Sequence, residues 1–200
     1  MTTPLGKDTL PQALTLLAER LHDSNAPAMR LVVCGGAALV GAGLARRTTN
    51  DVDVLAFLDE QNALTAPVPW PEPLAHAADE TARLLSLPRE WLNNRPSAGP
   101  GGLFQMGLPS GLKERLIGCP CGERLHVYFI SRLDQIHLKL FAAVDRGGYH
   151  IADLAALSPS DGELLAAARW TRTVDTSETH AELLRQLLEE LGHGAVALQV

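Results

Sequence analysis

Three cysteines in 200 residues, Cys34, Cys119 and Cys121, are too few and too unevenly spaced for the disulfide framework of a small secreted domain. Aromatic side chains make up only 4% of the chain, and Trp70, Trp91 and Trp170 are too scattered to build a base-stacking platform. Positive charge is short as well: 17 Lys and Arg stand against 23 Asp and Glu, a formal charge of −6. That balance excludes a nonspecific nucleic-acid coat or a polybasic membrane patch, so any anionic ligand requires a local basic site. No stretch approaches the roughly 18 consecutive apolar residues of a membrane span. The longest, Leu31 to Leu44, is broken by Gly35, Gly36, Gly41 and Gly43. The opening MTTPLGKDTLPQ has no basic region leading into an apolar run, and the expectation is a cytoplasmic protein with no membrane segment.

What is present is a core. Hydrophobic residues form 46% of the chain and charged residues 20%, the balance of an ordinary globular protein. A chain of this length buries roughly two-thirds of its unfolded surface without help from disulfides or metals. Leu10, Leu14, Leu17 and Leu21 recur at helical spacing and predict a helix that Asp8 or Thr9 begins. Residues 30–34 (RLVVC) predict a short apolar strand ending at Gly35-Gly36, followed by a short buried helix. Val52 to Phe57 predicts a second strand, and Pro67, Pro69, Pro71 and Pro73 predict extended loop. Leu74 to Leu87 reads as a helix and residues 88–92 as the start of another. Five glycines and three prolines between Arg95 and Gly111 predict a rim-like loop. Leu112 to Ile117 and Leu125 to Ile130 predict an antiparallel pair joined by GCPCGE. Helices then follow over 133–146, 151–157 and from Ser160, where Glu163 completes a capping-box signature, and Gly192 can end the last of them. The sum is an α/β (α+β) chain with a small mixed sheet flanked by helices: a domain over 1–157 and a helical extension over 158–200 packed on it.

The chemistry is concentrated in VVCGGAALVGAGLARRTTNDVDVLAF. Asp51 and Asp53 alternate with Val52 and Val54, so in a strand both carboxylates point to one face about 7 Å apart while the valines enter the core. Two acids that close suit a divalent cation. Taken alone, Asp-x-Asp is more simply read as Asp51 capping the strand and Asp53 on a wet face. Gly35-Gly36, between strand and helix, lets bare backbone approach a phosphate, or simply supplies a tight turn with positive φ. Two other phosphate loops are excluded, since GAALVG lacks the following Lys-Ser/Thr and Gly41-Ala42-Gly43 lacks a third glycine. Arg46, Arg47, Thr48 and Thr49 bring cations and hydroxyls beside the acid pair and supply the local basic site. Cys119-Pro-Cys121 with His126 offers only three ligands, at a spacing foreign to zinc sites, and thiols in a hairpin turn are the simpler reading.

Gly-Gly, a short helix, and Arg-x-Thr-x-Asp-x-Asp before an apolar strand resemble the signature of the DNA polymerase β-type nucleotidyltransferase superfamily, in particular small bacterial members related to abortive-infection toxins of type IV toxin–antitoxin systems. Downstream, Lys139-Leu-x-Ala142, Arg146 and Asp153-Leu154 are similar to that group's helix pattern, and Trp91-Leu92-Asn93 to a segment between the two blocks. The resemblance implies a minimal nucleotidyltransferase fold and metal-dependent transfer of a nucleoside monophosphate from a nucleoside triphosphate to an unidentified acceptor, RNA or protein among them. It implies Mg²⁺ or Mn²⁺ on Asp51 and Asp53, with Asp153 a further metal ligand; phosphate contacts from Gly35, Gly36, Arg47, Thr49, Lys139 and Arg146; and an antitoxin as a partner. The pattern departs in two places. Leu125 to Ile130 contains no acid where the superfamily supplies a third carboxylate, and His150 stands where relatives carry Asp. Asp134 or Asp153 is the substitute the sequence offers. The second reading is a catalytically degenerate nucleotide-binding or interaction module.

Overall fold

Residues 29–34 are apolar toward their C-terminal end, and in the computed structural model Met29–Cys34 forms β1, whose last four residues are buried. The described residues are 2–45 and 47–200. Packing divides the chain after Ser131 into two units, Met1–Ser131 and Arg132–Val200, so the expected 157/158 boundary falls inside the second unit.

In the first unit β1 is the middle of a mixed sheet. β2 (Val52–Leu58) runs antiparallel to it, with Val33 opposite Val54 and Cys34 opposite Asp53. A register shift between Val32 and Val33 leaves three consecutive buried residues, Val54, Leu55 and Ala56, in β2 and breaks its period-two pattern there. On the other flank of β1 lies β6 (Leu125–Phe129), parallel, and beyond it the edge strand β5 (Ile117–Pro120). The outer flank of β2 is shared: β3 (Leu64–Thr65) pairs with its C-terminal end and β4 (Leu92–Asn93), parallel, with its start. Helix α1 (Thr9–Asp23) buries the predicted leucine stripe and packs against α3 (Glu72–Leu85). The short α2 (Gly35–Gly41) follows β1 without a connecting residue. It lies so close to β6 that a Cβ on Gly41 would meet the Phe129 ring at 2.4 Å.

Several expectations are corrected. The expected helix over 88–92 is absent: residues 88–91 form a turn leading into β4 because Trp91 is drawn into the core, where Nε1–H donates to the Ala78 carbonyl at 3.0 Å. The strand expected at 112–117 begins only at Ile117, after a single 3₁₀ turn over Lys113–Arg115, so Cys119 lies in the ladder opposite Val127 and not in the connecting turn. Pro120 is tolerated there because β5 is an edge. Pro73 stands in the first turn of α3, where a missing N–H leaves no helical bond unmade. The 95–111 segment contains a four-residue helix, α4 (Leu103–Met106), and is anchored to β2 by Ser97, whose hydroxyl donates to the Leu55 carbonyl at 2.6 Å.

The second unit is helical. Arg132–Arg146 forms α5, against which α6 (Tyr149–Ala156), α7 (Asp161–Val174) and α8 (Glu178–Glu190) pack, and α9 (Gly194–Ala197) closes the unit. The capping box is formed: Ser160 Oγ accepts the Glu163 N–H and the Glu163 carboxylate accepts the Ser160 N–H. Arg132 clasps the same carboxylate and also donates to the carbonyls of Leu157 and Ser158, tying the α6–α7 connection to the start of α5.

Candidate functional site

The acid pair sits where β1 ends and β2 begins. Val52 and Val54 are fully buried, and that burial turns the intervening Asp53, with Asp51 before it, to the other face, where both are half-buried. Because Cys34 is opposite Asp53, the chain leaves β1 directly against the Asp53 carboxylate. Gly35 has φ +69°, and a Cβ there would stand 2.8 Å from Asp53 Oδ2. Gly36 is equally confined, since its Cβ would lie 2.6 Å from Thr49 Oγ1 and 3.3 Å from Arg47 Nη2. Both glycines are therefore required by close approach, the first also by its backbone conformation.

Thr49 is held from two directions. Its backbone exchanges hydrogen bonds with Leu5, at 2.7 and 2.8 Å, which fastens the loop before β2 to the N-terminal segment. Its hydroxyl lies 3.2 Å from Asp51 Oδ1, to which it donates. Arg47 Nη1 donates to the Thr48 carbonyl at 3.2 Å, which folds the guanidinium back along this loop. Arg46 lies outside the described residues. The structure thus brings Gly35, Gly36, Arg47, Thr49, Asp51 and Asp53 together within the first unit, and their polar groups are two carboxylates, a hydroxyl and a guanidinium around backbone without side chains.

These residues fit a hard divalent cation that keeps other ligands. Mg²⁺ is commonly held by one or two carboxylates with its remaining positions filled by water and substrate phosphates. Among the described residues no three His, Cys, Asp or Glu side chains converge closely enough to cage a metal by themselves. Asp51 and Asp53 would therefore share such an ion with a ligand's oxygens.

Residues 139, 146 and 153 belong to the second unit. Lys139 Nζ lies 2.6 Å from Asp153 Oδ2, and both side chains are almost completely buried. The exposed ring of Tyr149 stands with its centroid 5.5 Å from the same ammonium. Lys139 and Asp153 are thus brought to each other, across the α5–α6 connection. Arg146 is exposed at the end of α5, with Nε 3.3 Å from Asp145. Asp134, the other substitute acid, is fully buried in the first turn of α5.

The strand in which the resemblance implies a third acid is β6, which borders β1 and is a full strand removed from β2. Its His126 and Tyr128 are in register with Arg30 and Val32. The residue in register with Asp53 on the outer flank is Asn93 of β4. Trp91-Leu92-Asn93 stood out in the sequence, but nothing in its spacing tied it to the acid pair. The thiols do not share a face with His126, because Pro120 is its ladder partner while Cys119 and Cys121 flank that proline. Cys121 Sγ donates to the Cys119 carbonyl at 3.3 Å, and burial, followed by the neighbouring Cys119 thiol, pushes the Cys121 thiol up to about 12.

No family model matches the chain, and no curated protein matches it. Among solved structures it is similar to the crystal structure of an antigenic nucleotidyltransferase-like protein from Paracoccidioides brasiliensis. The two share 18% identity over 98% of this chain and 95% of that one, with a TM-score of 0.52. The fold of the described residues is a nucleotidyltransferase-like one, a six-stranded mixed sheet with flanking helices. Among the described residues no helix is long and apolar enough to cross a membrane.

Proposed function

We propose that the protein is a nucleotidyltransferase that binds a nucleoside triphosphate with Mg²⁺ or Mn²⁺ at Asp51 and Asp53 and transfers the nucleoside monophosphate to an acceptor hydroxyl. The observation that carries this reading is the closure of Gly35 onto Asp53, which keeps bare backbone beside a paired-carboxylate face. The nucleotidyltransferase-like fold supports it. In the reaction the acceptor oxygen forms a bond to the α-phosphorus, the bond from that phosphorus to the bridging oxygen breaks, pyrophosphate leaves and the acceptor proton passes to solvent or a nearby base. The cation, when bound, neutralises charge on the triphosphate and the leaving pyrophosphate. Asp51 and Asp53 would hold it, and Thr49 keeps Asp51 oriented. The Gly35 and Gly36 backbone, with Arg47, would receive phosphate oxygens in a cradle a side chain would fill.

In this reading Lys139 and Asp153 hold α5 to α6, and Arg146 is the exposed cation of that pattern. RNA ends and protein hydroxyls are the acceptor classes proposed, and an antitoxin is a proposed partner. Among the described residues no third acid joins Asp51 and Asp53, which favours a second reading, a nucleotide-binding module with little or no transfer.

The test is a transfer assay with labelled ATP, CTP, GTP and UTP, Mg²⁺ and RNA or protein acceptors, on the parent and Asp53→Asn. Label transferred by the parent and lost in the variant supports the enzyme. Nucleotide bound without transfer supports the module, and neither binding nor transfer overturns both readings.

A further inference from the structure

Asp53 has a ladder neighbour on each side. β1 sets Cys34 opposite it and β4 sets Asn93. Residues paired across a ladder share a face and stand about 5 Å apart, so Asn93 rises beside Asp53 on the face that carries the acid pair. A strand of two residues is an economical way to hold one side chain there. Val52 N–H donates to the Trp91 carbonyl, and Trp91 is locked into the core. Asn93 itself is buried, with 8% of its surface exposed. Its Oδ1 accepts the Arg95 N–H at 3.0 Å, while among the described residues Nδ2 has only the Glu90 carbonyl at 3.5 Å, the outer limit of a hydrogen bond. The amide oxygen is committed to shaping the 93–95 turn, and the amide nitrogen retains donor capacity next to the carboxylates.

We propose that Asn93 is the third polar group of the Asp51–Asp53 site and that its Nδ2 donates to an oxygen of the bound polyphosphate, at the position where an acid would add a third metal ligand. This inference rests on reading Asp51 and Asp53 as a metal–triphosphate site. An uncharged donor beside two carboxylates attracts a phosphate oxygen, whereas a third carboxylate would repel it and bind the cation more strongly in its absence. The position of this amide therefore makes cation binding depend on the polyphosphate. Asn93 would bind the polyphosphate without a part in proton transfer, since an amide neither takes a proton from an acceptor nor adds charge to the metal shell.

The test uses the full chain, Mn²⁺ and inorganic tripolyphosphate, with free Mn²⁺ followed by electron paramagnetic resonance in the parent, Asn93→Asp and Asp53→Asn. Asn93→Asp keeps the oxygen that receives the Arg95 N–H. It should bind Mn²⁺ alone about tenfold more tightly than the parent while gaining less from tripolyphosphate, as a third like charge at the site requires. If Asp53→Asn weakens the Mn²⁺–tripolyphosphate complex and Asn93→Asp changes neither quantity, Asn93 lies outside the site and the proposal is overturned. If Asp53→Asn has no effect either, the metal–triphosphate reading falls and takes this inference with it. On the unaltered protein, Mn²⁺–tripolyphosphate should broaden the Asn93 side-chain amide resonance together with the backbone amide of Asp53. A sharp Asn93 resonance beside a broadened Asp53 contradicts the proposal whether or not the variant folds.

Discussion

Lys139 and Asp153 meet across the α5–α6 connection at 2.6 Å, an ion pair almost completely withdrawn from solvent. Removing one partner of such a pair strands a buried charge, and Lys139→Ala should lose roughly 3–5 kcal/mol of stability. Replacing both by apolar residues of similar volume, Lys139→Met with Asp153→Leu, should recover most of that loss. Urea unfolding of the two variants decides it. A Lys139→Ala protein within about 0.5 kcal/mol of the parent, as for an ordinary surface site, would show that the pair does not hold the helices.

Gly35 and Gly43 have the same backbone sign, φ +69° and +70°, but only Gly35 has a neighbour in the path of a Cβ. Gly43→Ala should show the backbone strain alone, about 1 kcal/mol. Gly35→Ala should add the displacement of the Asp53 carboxylate and lose metal–triphosphate binding, whereas Gly43→Ala keeps it. Thermal melts and calorimetry of the pair separate the two effects.

The Arg132 guanidinium and the Ser160 N–H hold the Glu163 carboxyl at about 2, well below its usual range. A carboxylate depressed in the folded state adds stability that is fully present above its unfolded value near 4.5 and is lost as pH falls toward 2. Denaturant midpoints should therefore drop over that window in the parent and drop less in Glu163→Gln, which starts lower. Parallel pH curves for the two proteins would contradict this.

With its thiol pushed up to about 12, Cys121 is almost wholly protonated at neutral and mildly alkaline pH. Since the thiolate is the nucleophile, iodoacetamide at pH 8 should modify Cys121 far more slowly in the folded protein than in urea, which mass spectrometry of the labelled peptide measures. Equal rates in the two states would contradict the assigned environment.

Much of the acid-pair site was legible because it is local. The glycines end β1, the acids begin β2, and consecutive antiparallel strands return the chain to the same place. The leucine stripe of α1 and the Ser160–Glu163 box were legible for the same reason, each being written within a few residues. Asn93 was not, because β4 is only two residues long and its place beside Asp53 depends on the fully buried Trp91, whose side chain is anchored on α3. The start of β5 was missed since its partners lie in β6 and its own Gly and Pro read as turn. Lys139 and Asp153 were each visible as charged residues in a helical pattern. Helical spacing does not reveal that the α5 face carrying Lys139 is covered, and burial is what turns the two charges toward each other.

In the proposed function Asp51 and Asp53 hold a divalent cation together with a triphosphate. Titration calorimetry with Mg²⁺ and each of the four nucleoside triphosphates, on the parent and on Asp53→Asn, tests it most directly. The account predicts that the parent binds the metal–nucleotide complex and that removing one of the two carboxylate charges weakens binding about tenfold or more. An Asp53→Asn protein that binds the complex as tightly as the parent, or a parent that binds none of the four, would contradict it.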